Sequence, residues 1–274
     1  MTIDVGGPLV LAGSGKMGGA MLTGWLARGL DPKCVFVQDP SPPEELAPLF
    51  TKHGIRPVGI LPVLPAQPAV MIVAVKPQMM DQVFPPLARL AGPETLVLSI
   101  AAGRSIAGFE KHLAPGTAVV RAMPNTPAAL GRGITVCCGN AHVTNRQRSL
   151  CETLLGAIGE VGWIADELQM DAVTAVSGSG PAYVFLLAEA IEAAAIAEGL
   201  DPSLARRLAR ATVSGAGEML RQSDLDAATL RQNVTSPGGT TAAALDVLMD
   251  RQGMAELMGR AIAAAARRGR ELGQ

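Results

Sequence analysis

The sequence predicts an α/β fold: a doubly wound parallel sheet followed by a separate all-helical domain. Three observations carry this. A glycine-rich turn, Gly13-Ser14-Gly15-Lys16-Met17-Gly18, joins a short apolar run to a helical pattern. Apolar runs of strand length then alternate with helical stretches up to about Ala165, the pattern of strands packed between helices. From Asp166 onward strand-like alternation stops and Ala- and Leu-rich helical stretches take over. The boundary therefore falls at 165, giving an α/β domain over 1–165 and an all-helical domain over 166–274.

Length and composition support two modest domains. A chain of 274 residues with 49% hydrophobic residues can bury a sizeable core, and with 3% aromatics that core must be filled by Ala, Val, Leu, Met and Ile. Residues 1–165 carry net charge +3 and residues 166–274 net −4, and all five lysines lie at or before Lys111. The first part is thus better suited to a phosphate-bearing ligand. An overall net charge of −1 argues against nucleic acid or an anionic membrane as main partner. Cys34, Cys137, Cys138 and Cys151 form no CxxC pair and show no zinc spacing, so no metal is expected and the thiols should be reduced and mostly buried. No basic segment precedes the first apolar run, and no continuous apolar run reaches the roughly 18 residues of a membrane span. The expected location is the cytoplasm, with no membrane partner.

In chain order, Pro8 to Ala12 reads as the first strand and the pattern through Trp25 to Arg28 as the first helix. The turn between them has GxGxxG spacing, the dinucleotide fingerprint of the Rossmann fold. Gly13 makes the tight turn, Gly15 lets a pyrophosphate approach the backbone, and Gly18 lets helix and strand pack closely. Cys34 to Gln38 is the second strand. Asp39 follows it, 21 positions after Gly18, near the offset of about 20 for the residue that meets the adenine ribose. An acid there accepts from a 2′-hydroxyl and repels a 2′-phosphate, which taken alone favours NAD over NADP. Glu44 to His53 reads as helix. Arg56 to Ile60 is expected as a strand within a stretch made irregular by Pro57, Pro62, Pro65 and Pro68. Ala69 to Val75, Leu96 to Ile100 and Val119 to Ala122 read as buried parallel strands. Their following loops, Lys76-Pro77-Gln78, Ala101-Ala102-Gly103 and Met123-Pro124-Asn125-Thr126-Pro127, should share one sheet edge with the glycine turn. Asn125 and Thr126 sit between prolines in a stiff polar loop, able to hold a carboxamide or a substrate edge, or simply to make a turn. Ile134 to Cys138 and Glu160 to Ile164 are later strands, with a helix over Thr144 to Ile158 between them.

In the second half, Ser177-Gly178-Ser179-Gly180-Pro181 leads into a helix to about Glu198 that is apolar nearly all round. Such a helix is buried, and a domain of about a hundred residues needs another subunit to cover it. A helix from Pro202 through Leu220 and an amphipathic last helix carrying Met254, Leu257, Met258, Ala261, Ile262 and Ala265 follow. Between helical stretches lies Val234-Thr235-Ser236-Pro237-Gly238-Gly239-Thr240-Thr241. A helix opening at Thr240 or Thr241 has unpaired first N–H groups, with hydroxyls and glycine amides around them, a ready place for a small carboxylate.

His53, His112 and His142 lie outside every motif loop, and Tyr183, the only tyrosine, belongs to no YxxxK pattern. A dehydrogenase with a His base and a Tyr/Lys carbonyl reductase are both disfavoured. Reduction of an imine that arrives protonated fits better, because it needs little acid–base help. A β-hydroxyacid dehydrogenase would need a Lys on the first long helix of the second half, and no Lys follows Lys111. A scaffold that had lost activity would show damaged site loops, and these are whole.

With these residues placed, the chain resembles the pyrroline-5-carboxylate reductase family. The matching stretches are GSGKMG at 13–18, AVKPQ at 74–78, RAMPNTP at 121–127, DAVTAVSGSGPAYVF at 171–185 and VTSPGGTT at 234–241. The resemblance runs over nearly the whole chain and implies a Rossmann domain followed by a helical domain, joined as a homodimer and often as a ring of dimers. It implies reduction of 1-pyrroline-5-carboxylate to L-proline by hydride transfer from NADPH or NADH. The dinucleotide would lie along Gly13, Ser14, Gly15, Lys16 and Met17, near Asp39 and over Ala74, Val75, Lys76 and Pro77, with Asn125 and Thr126 flanking its nicotinamide end. Ser236, Gly239, Thr240 and Thr241 would meet the substrate. Thr241 matches the family threonine whose hydroxyl meets the ring nitrogen. Lys76 stands beside it as a catalytic candidate and reads as a cofactor-loop residue held near negative groups. Two departures bear on cofactor preference: Asp39 to Pro43 lacks the basic residue of many NADPH-using members, and Arg56 to Pro68 lacks a polar residue often found near the adenosine.

Overall fold

The computed structural model describes residues 3–272. Its strands are β1 (Leu9–Ala12), β2 (Val35–Gln38), β3 (Val70–Val73), β4 (Leu96–Ser99), β5 (Ala118–Met123), β6 (Gly133–Gly139) and β7 (Gly159–Trp163). They form one sheet in the order β2-β1-β3-β4-β5-β6-β7. The first five run parallel, β6 pairs antiparallel with β5, and β7 pairs parallel with β6. The reversal follows from the short connection: a single turn over Thr126–Leu130 joins β5 to β6, too short for a crossover.

The strands are short and apolar because both faces are covered. Leu9, Val10, Leu11 and Ala12 of β1 are all fully buried. Alternation sends Leu9 and Leu11 to one side and Val10 and Ala12 to the other. The first side is covered by α1 (Lys16–Ala27), α2 (Ala47–His53) and α5 (Asn145–Leu155), through Met21, Leu22, Trp25, Phe50, Leu154 and Leu155. Trp25 also donates from Nε1 to the Leu154 carbonyl at 2.8 Å, so its polar edge is satisfied inside the core. The second side is covered by α3 (Met80–Ala88), α4 (Ile106–Glu110) and α6 (Met170–Val173), where Phe84 and Phe109 meet edge to face at 4.9 Å. Pro85 and Pro86 remove two backbone donors inside α3, and the helix ends two residues after Pro86, at Ala88.

The expected strand over Arg56 to Ile60 is corrected. Only an isolated parallel bridge forms there, Gln38 with Val58, and prolines at 57, 62, 65 and 68 withhold the donors a ladder needs.

The chain divides into two compact units. One runs to Gly178 and takes back the end of the last helix from Ala266; the other is Ser179–Ala265. Packing thus groups the residues just past 165 with the sheet. In this part α6 passes into a π-helical turn, Thr174–Gly178, where Gly178 packs so close to Met123 that a Cβ would stand 2.8 Å from its Cε. Arg121, buried on β5, pairs with Glu167 at 2.8 Å, and Glu167 also accepts from the Ile106 amide at 3.0 Å.

The second unit holds α7 (Gly180–Ala197), α8 (Pro202–Gln222), α9 (Ala227–Asn233), α10 (Thr240–Leu248) and the first part of α11 (Met254–Leu272). The stop between α7 and α8 is written in four residues. Gly199 takes φ +89°, Leu200 donates to the Ala195 carbonyl, Asp201 caps Ser203 and Leu204, and Pro202 opens the next helix. Within the single chain α7 has no buried residue, and Phe185 and Leu186 are each 63% exposed, so the apolar helix expected to need another subunit's cover is left bare by its own chain. The helical stretch Glu167–Ala197 is also long and apolar enough, by length and composition alone, to cross a membrane. That amends the expectation drawn from uninterrupted apolar runs, because Ser, Thr and Gly break the run without making the stretch polar.

The four cysteines are free, three of them buried. Burial pushes the Cys137 thiol from 9.0 up to about 12, and burial with Cys137 beside it pushes Cys151 well up as well. A raised value in the folded state means that the contribution to stability is fully present below pH 9 and is lost as pH rises toward 12. Urea unfolding at pH 8 to 10.5 should therefore show stability falling more steeply in the wild type than in Cys137→Ala, by up to about 1.4 kcal/mol per pH unit above 9. Equal slopes in the two proteins would show that the thiol does not titrate against burial.

Candidate active site

Gly13 stands where three strand ends meet. Its amide donates to the Gln38 carbonyl at 2.9 Å, it adopts φ +91°, and a Cβ on it would stand 2.7 Å from the Ala74 carbonyl oxygen. Only glycine fits both the conformation and the approach. Gly18 is equally constrained, since a Cβ there would overlap the Gly13 carbonyl oxygen. Gly15 differs: it is exposed, and no atom lies within 4 Å of the place a Cβ would take. Its lack of a side chain is not explained by packing, so it leaves room for something outside the chain. Gly15 also caps α1 with no side-chain bond, and no acidic residue lies in the first turn of α1. Its first amides thus face outward uncapped, which suits a phosphate. Chain order places this turn at the switch point of the sheet, with β2 on one side of β1 and β3 on the other.

Asp39 is drawn onto the glycine turn. Its Oδ2 accepts from the Ser14 amide at 2.7 Å and from the Ser14 hydroxyl at 2.8 Å, and its Oδ1 accepts from the Ser41 amide at 3.0 Å. Ser14 is fully buried. The expected ribose reader is therefore also a tether of the turn, and neither Ser14 in that role nor Ser41 was visible in the spacing.

Ala74 and Val75 continue β3 past its last ladder residue, the Ala74 amide donating to the Ala12 carbonyl at 2.8 Å. Lys76 is exposed and opens the short turn Pro77–Met79. A residue the sequence did not single out, Arg104, fastens this loop. It binds both oxygens of Asp81, at 2.8 and 3.2 Å, and donates to the Pro77 carbonyl at 2.8 Å. The only sign of it in the sequence is a lone Arg in a loop after a strand. Asn125 lies at the same edge, beyond β5. Its Oδ1 accepts from the Ile134 amide at 2.9 Å and its Nδ2 donates to the Ser177 carbonyl at 3.2 Å, which leaves part of its bonding capacity open. The π-helical turn presents that Ser177 carbonyl. Thr126 is exposed at the start of the turn that follows. Parallel pairing of β1 to β5 brings Gly13–Met17, Asp39, Ala74–Pro77, Asn125 and Thr126 to one edge, as the alternating pattern predicts.

In the helical unit, the remaining candidates lie on one loop. Gly238 takes φ +67°, and the Gly239 amide donates to the Ser236 carbonyl at 3.0 Å, closing a turn before α10. Gly239, not a threonine, is the N-cap of α10, and no side chain caps it. Thr235 is occupied, its hydroxyl donating to the Arg231 carbonyl at 2.7 Å. Ser236 and Thr240 are exposed and Thr241 is half-buried. The loop therefore offers uncapped amides with two or three hydroxyls alongside.

The sheet unit, with an open glycine turn at its switch point, is that of a dinucleotide-dependent oxidoreductase. A family model described as NADP oxidoreductase, coenzyme F420-dependent, matches residues 9–103, and one described as pyrroline-5-carboxylate reductase dimerisation matches residues 167–272. A Pseudomonas aeruginosa pyrroline-5-carboxylate reductase is 39% identical over 97% of this chain and 97% of its own length. The solved structure of a pyrroline-5-carboxylate reductase from Coxiella burnetii is 35% identical, with TM-score 0.90 over 98% of this chain and 99% of that one. That of Plasmodium falciparum pyrroline carboxylate reductase, with NADP bound, is 27% identical, with TM-score 0.79 over 98% and 99%. The chain belongs to the pyrroline-5-carboxylate reductase family.

The open space at Gly15 separates folding from binding. Gly15→Val should weaken NADH or NADPH binding at least tenfold in a fluorescence titration while shifting the melting temperature by no more than about 2 °C. Gly18→Ala should lower the melting temperature clearly, because its Cβ meets backbone. Unchanged affinity in the Gly15 variant would mean that the turn faces no ligand.

Proposed function

We propose that this chain reduces 1-pyrroline-5-carboxylate to L-proline with NADPH or NADH. The observation that carries the reading is that one chain holds both an open glycine turn at a sheet switch point and an uncapped, hydroxyl-flanked helix start at α10. Its relatives bear the name of this activity over nearly their whole length.

When bound, the dinucleotide supplies the hydride. The amides of Lys16 and Met17 at the start of α1 hold its pyrophosphate across the open face of Gly15. Asp39 faces the adenine ribose. Ala74, Val75, Lys76 and Pro77 form a wall, and Asn125 and Thr126 border the nicotinamide end. The substrate is a cyclic iminium carrying a carboxylate. Ser236, Gly239, Thr240 and the first amides of α10 hold that carboxylate, and the Thr241 hydroxyl accepts from the protonated ring nitrogen. Hydride adds to the imine carbon, the C=N π pair passes to nitrogen, and that nitrogen keeps its proton. No side chain has to deliver a proton to carbon or stabilise an oxyanion, so positioning does most of the work. Lys76 needs no proton-transfer role and acts as part of the cofactor wall. In this division of labour residues 1–165 serve the dinucleotide and residues 166–274 the substrate and the dimer.

The C-terminal region is a dimerisation domain by its family match. We assign the bare face of α7 to a second copy of the chain, with dimers further joined as a ring, and place the protein in the cytoplasm.

Two outcomes are expected. Thr241→Ala should lower turnover with pyrroline-5-carboxylate at least tenfold, read at 340 nm, with cofactor affinity within twofold; unchanged steady-state kinetics would remove Thr241 from the reaction. Light scattering should give a dimer or larger, and Phe185→Glu should yield a smaller or aggregating species. A stable wild-type monomer would overturn the assignment of α7.

A further inference from the structure

The side-chain amide of Asn125 is turned one way only, because its two partners differ in kind. An Asn amide has a donor end and an acceptor end of nearly the same shape. Both partners here are backbone. The Ile134 amide, which can only donate, meets Oδ1 at 2.9 Å, and the Ser177 carbonyl, which can only accept, meets Nδ2 at 3.2 Å. Turned over, Asn125 would set N–H against N–H and C=O against C=O.

The Ser177 carbonyl is open to this bond for a reason written in the chain. In an α-helix it would accept from the amide four residues on. That residue is Pro181, which has no N–H. The next amide, that of Ala182, donates to the Ser179 carbonyl at 3.0 Å. The segment that carries Ser177 is also held in place. Arg121, Met123 and Asn125 follow at every second residue along β5 and its extended continuation, so they share one side of the sheet. Each meets that segment: Arg121 pairs with Glu167 at 2.8 Å, Met123 packs against Gly178, and Asn125 bonds Ser177. The Thr174 and Ser177 hydroxyls are turned inward on the same segment, donating to the Met170 carbonyl at 2.9 Å and the Val173 carbonyl at 3.0 Å.

With two bonds made, Asn125 keeps one N–H and one lone pair. While the amide is locked, these stay at separate, fixed places. A carboxamide, with an acceptor oxygen and an NH2, uses both. A methyl ketone in its place uses only the N–H. An Asn free to turn offers its NH2 at either place and tells the two apart less well.

We propose that Pro181 is a positioning residue for the carboxamide of the dinucleotide: by withholding an N–H it reserves the Ser177 carbonyl for Asn125 and so fixes which way the Asn125 amide is turned. Pro181 acts through Asn125 and touches no ligand in this role. The proposal rests on the reading that Asn125 borders the nicotinamide end.

The test is equilibrium binding by calorimetry, which needs no turnover. It compares NADH with its reduced 3-acetylpyridine analogue, in which a methyl replaces the amide NH2, or the NADPH pair where that cofactor binds tighter. The wild type should prefer the carboxamide by roughly tenfold, the order of one lost hydrogen bond. Pro181→Ala and Pro181→Ser each place an N–H at 181, and both should cut that preference roughly threefold or more and to the same extent. Asn125→Asp, whose carboxylate cannot donate to Ser177, should lose most of the preference, and adding Pro181→Ala to it should change the preference no further. An unchanged preference in folded Pro181→Ala, or a further loss in the double variant, overturns the proposal. Should neither Pro181 variant fold, as judged by its melting curve, Asn125→Asp still decides, since an unchanged preference there overturns the proposal as well. A wild type without preference removes Asn125 from the carboxamide and this inference with it, and one that binds neither dinucleotide overturns the cofactor reading beneath both.

Discussion

The whole sheet edge depends on backbone meeting backbone at Gly13. Three strand ends and the first turn of α1 converge there, closer than any side chain permits. The Ala74 carbonyl sits within 2.7 Å of where a Gly13 Cβ would be, and the Gly13 carbonyl fills the place of a Cβ on Gly18. This approach pins the start of α1 against the ends of β1 and β3, so the amides of that helix point outward at a fixed place. Fixing them in advance lowers the cost of ordering the loop when an anion arrives. The glycines therefore fall into two kinds. Gly13 and Gly18 are demanded by the fold, whereas Gly15 has nothing in the fold to demand it.

That distinction marks what the sequence can and cannot reveal. GxGxxG spacing, strand-length apolar runs and the VTSPGGTT loop are local patterns, and the structure carries each of them where it was expected. The return of α11 to the sheet unit and the bonds from Ser14 to Asp39 are set by contacts between segments far apart in sequence, where no period or spacing records them. Arg56 to Ile60 misled for a local reason. Its apolar residues look like a strand, but the prolines around them lack donors, and one bridge is all that forms. Ser177 is a subtler case. Its carbonyl reaches Asn125 because the helix widens into a π turn there, and such a widening has no sequence signature beyond a run of small residues.

The helical unit shows the opposite imbalance. Its sequence is apolar where its own fold offers nothing to bury against. In α8 only Ala205 and Ala209 are buried, and α7 has no buried residue at all. Each exposed Leu or Phe on α7 forgoes part of the roughly 1.5 to 3 kcal/mol that full burial would contribute. The interhelical joint at Gly199 to Pro202 is nonetheless capped with care, with a left-handed glycine, an Asp cap and a proline at the first helical position. Well-specified helices with an uncovered apolar face describe a part made to be completed by another surface, in line with a region whose family match is a dimerisation domain.

The thiols and histidines stand apart from all of this, and their placement constrains the chemistry. Burial raises all four thiols, which leaves them protonated and poor nucleophiles at neutral pH. His112 packs its ring edge-on to Phe84 at 6.0 Å, beside α3 and α4, as part of the hydrophobic side of the sheet. What remains at the candidate loops is hydroxyls, amides and an asparagine, with Lys16, Asp39 and Lys76 the charged groups among them. Such a set can hold an anion and accept one hydrogen bond from a protonated nitrogen. It is poorly equipped to pull a proton from carbon or to support an alkoxide. A substrate that arrives as a protonated imine asks for nothing more. The lack of an acid–base pair is therefore a positive feature of the site: it fits the reduction of C=N and disfavours the reduction of C=O.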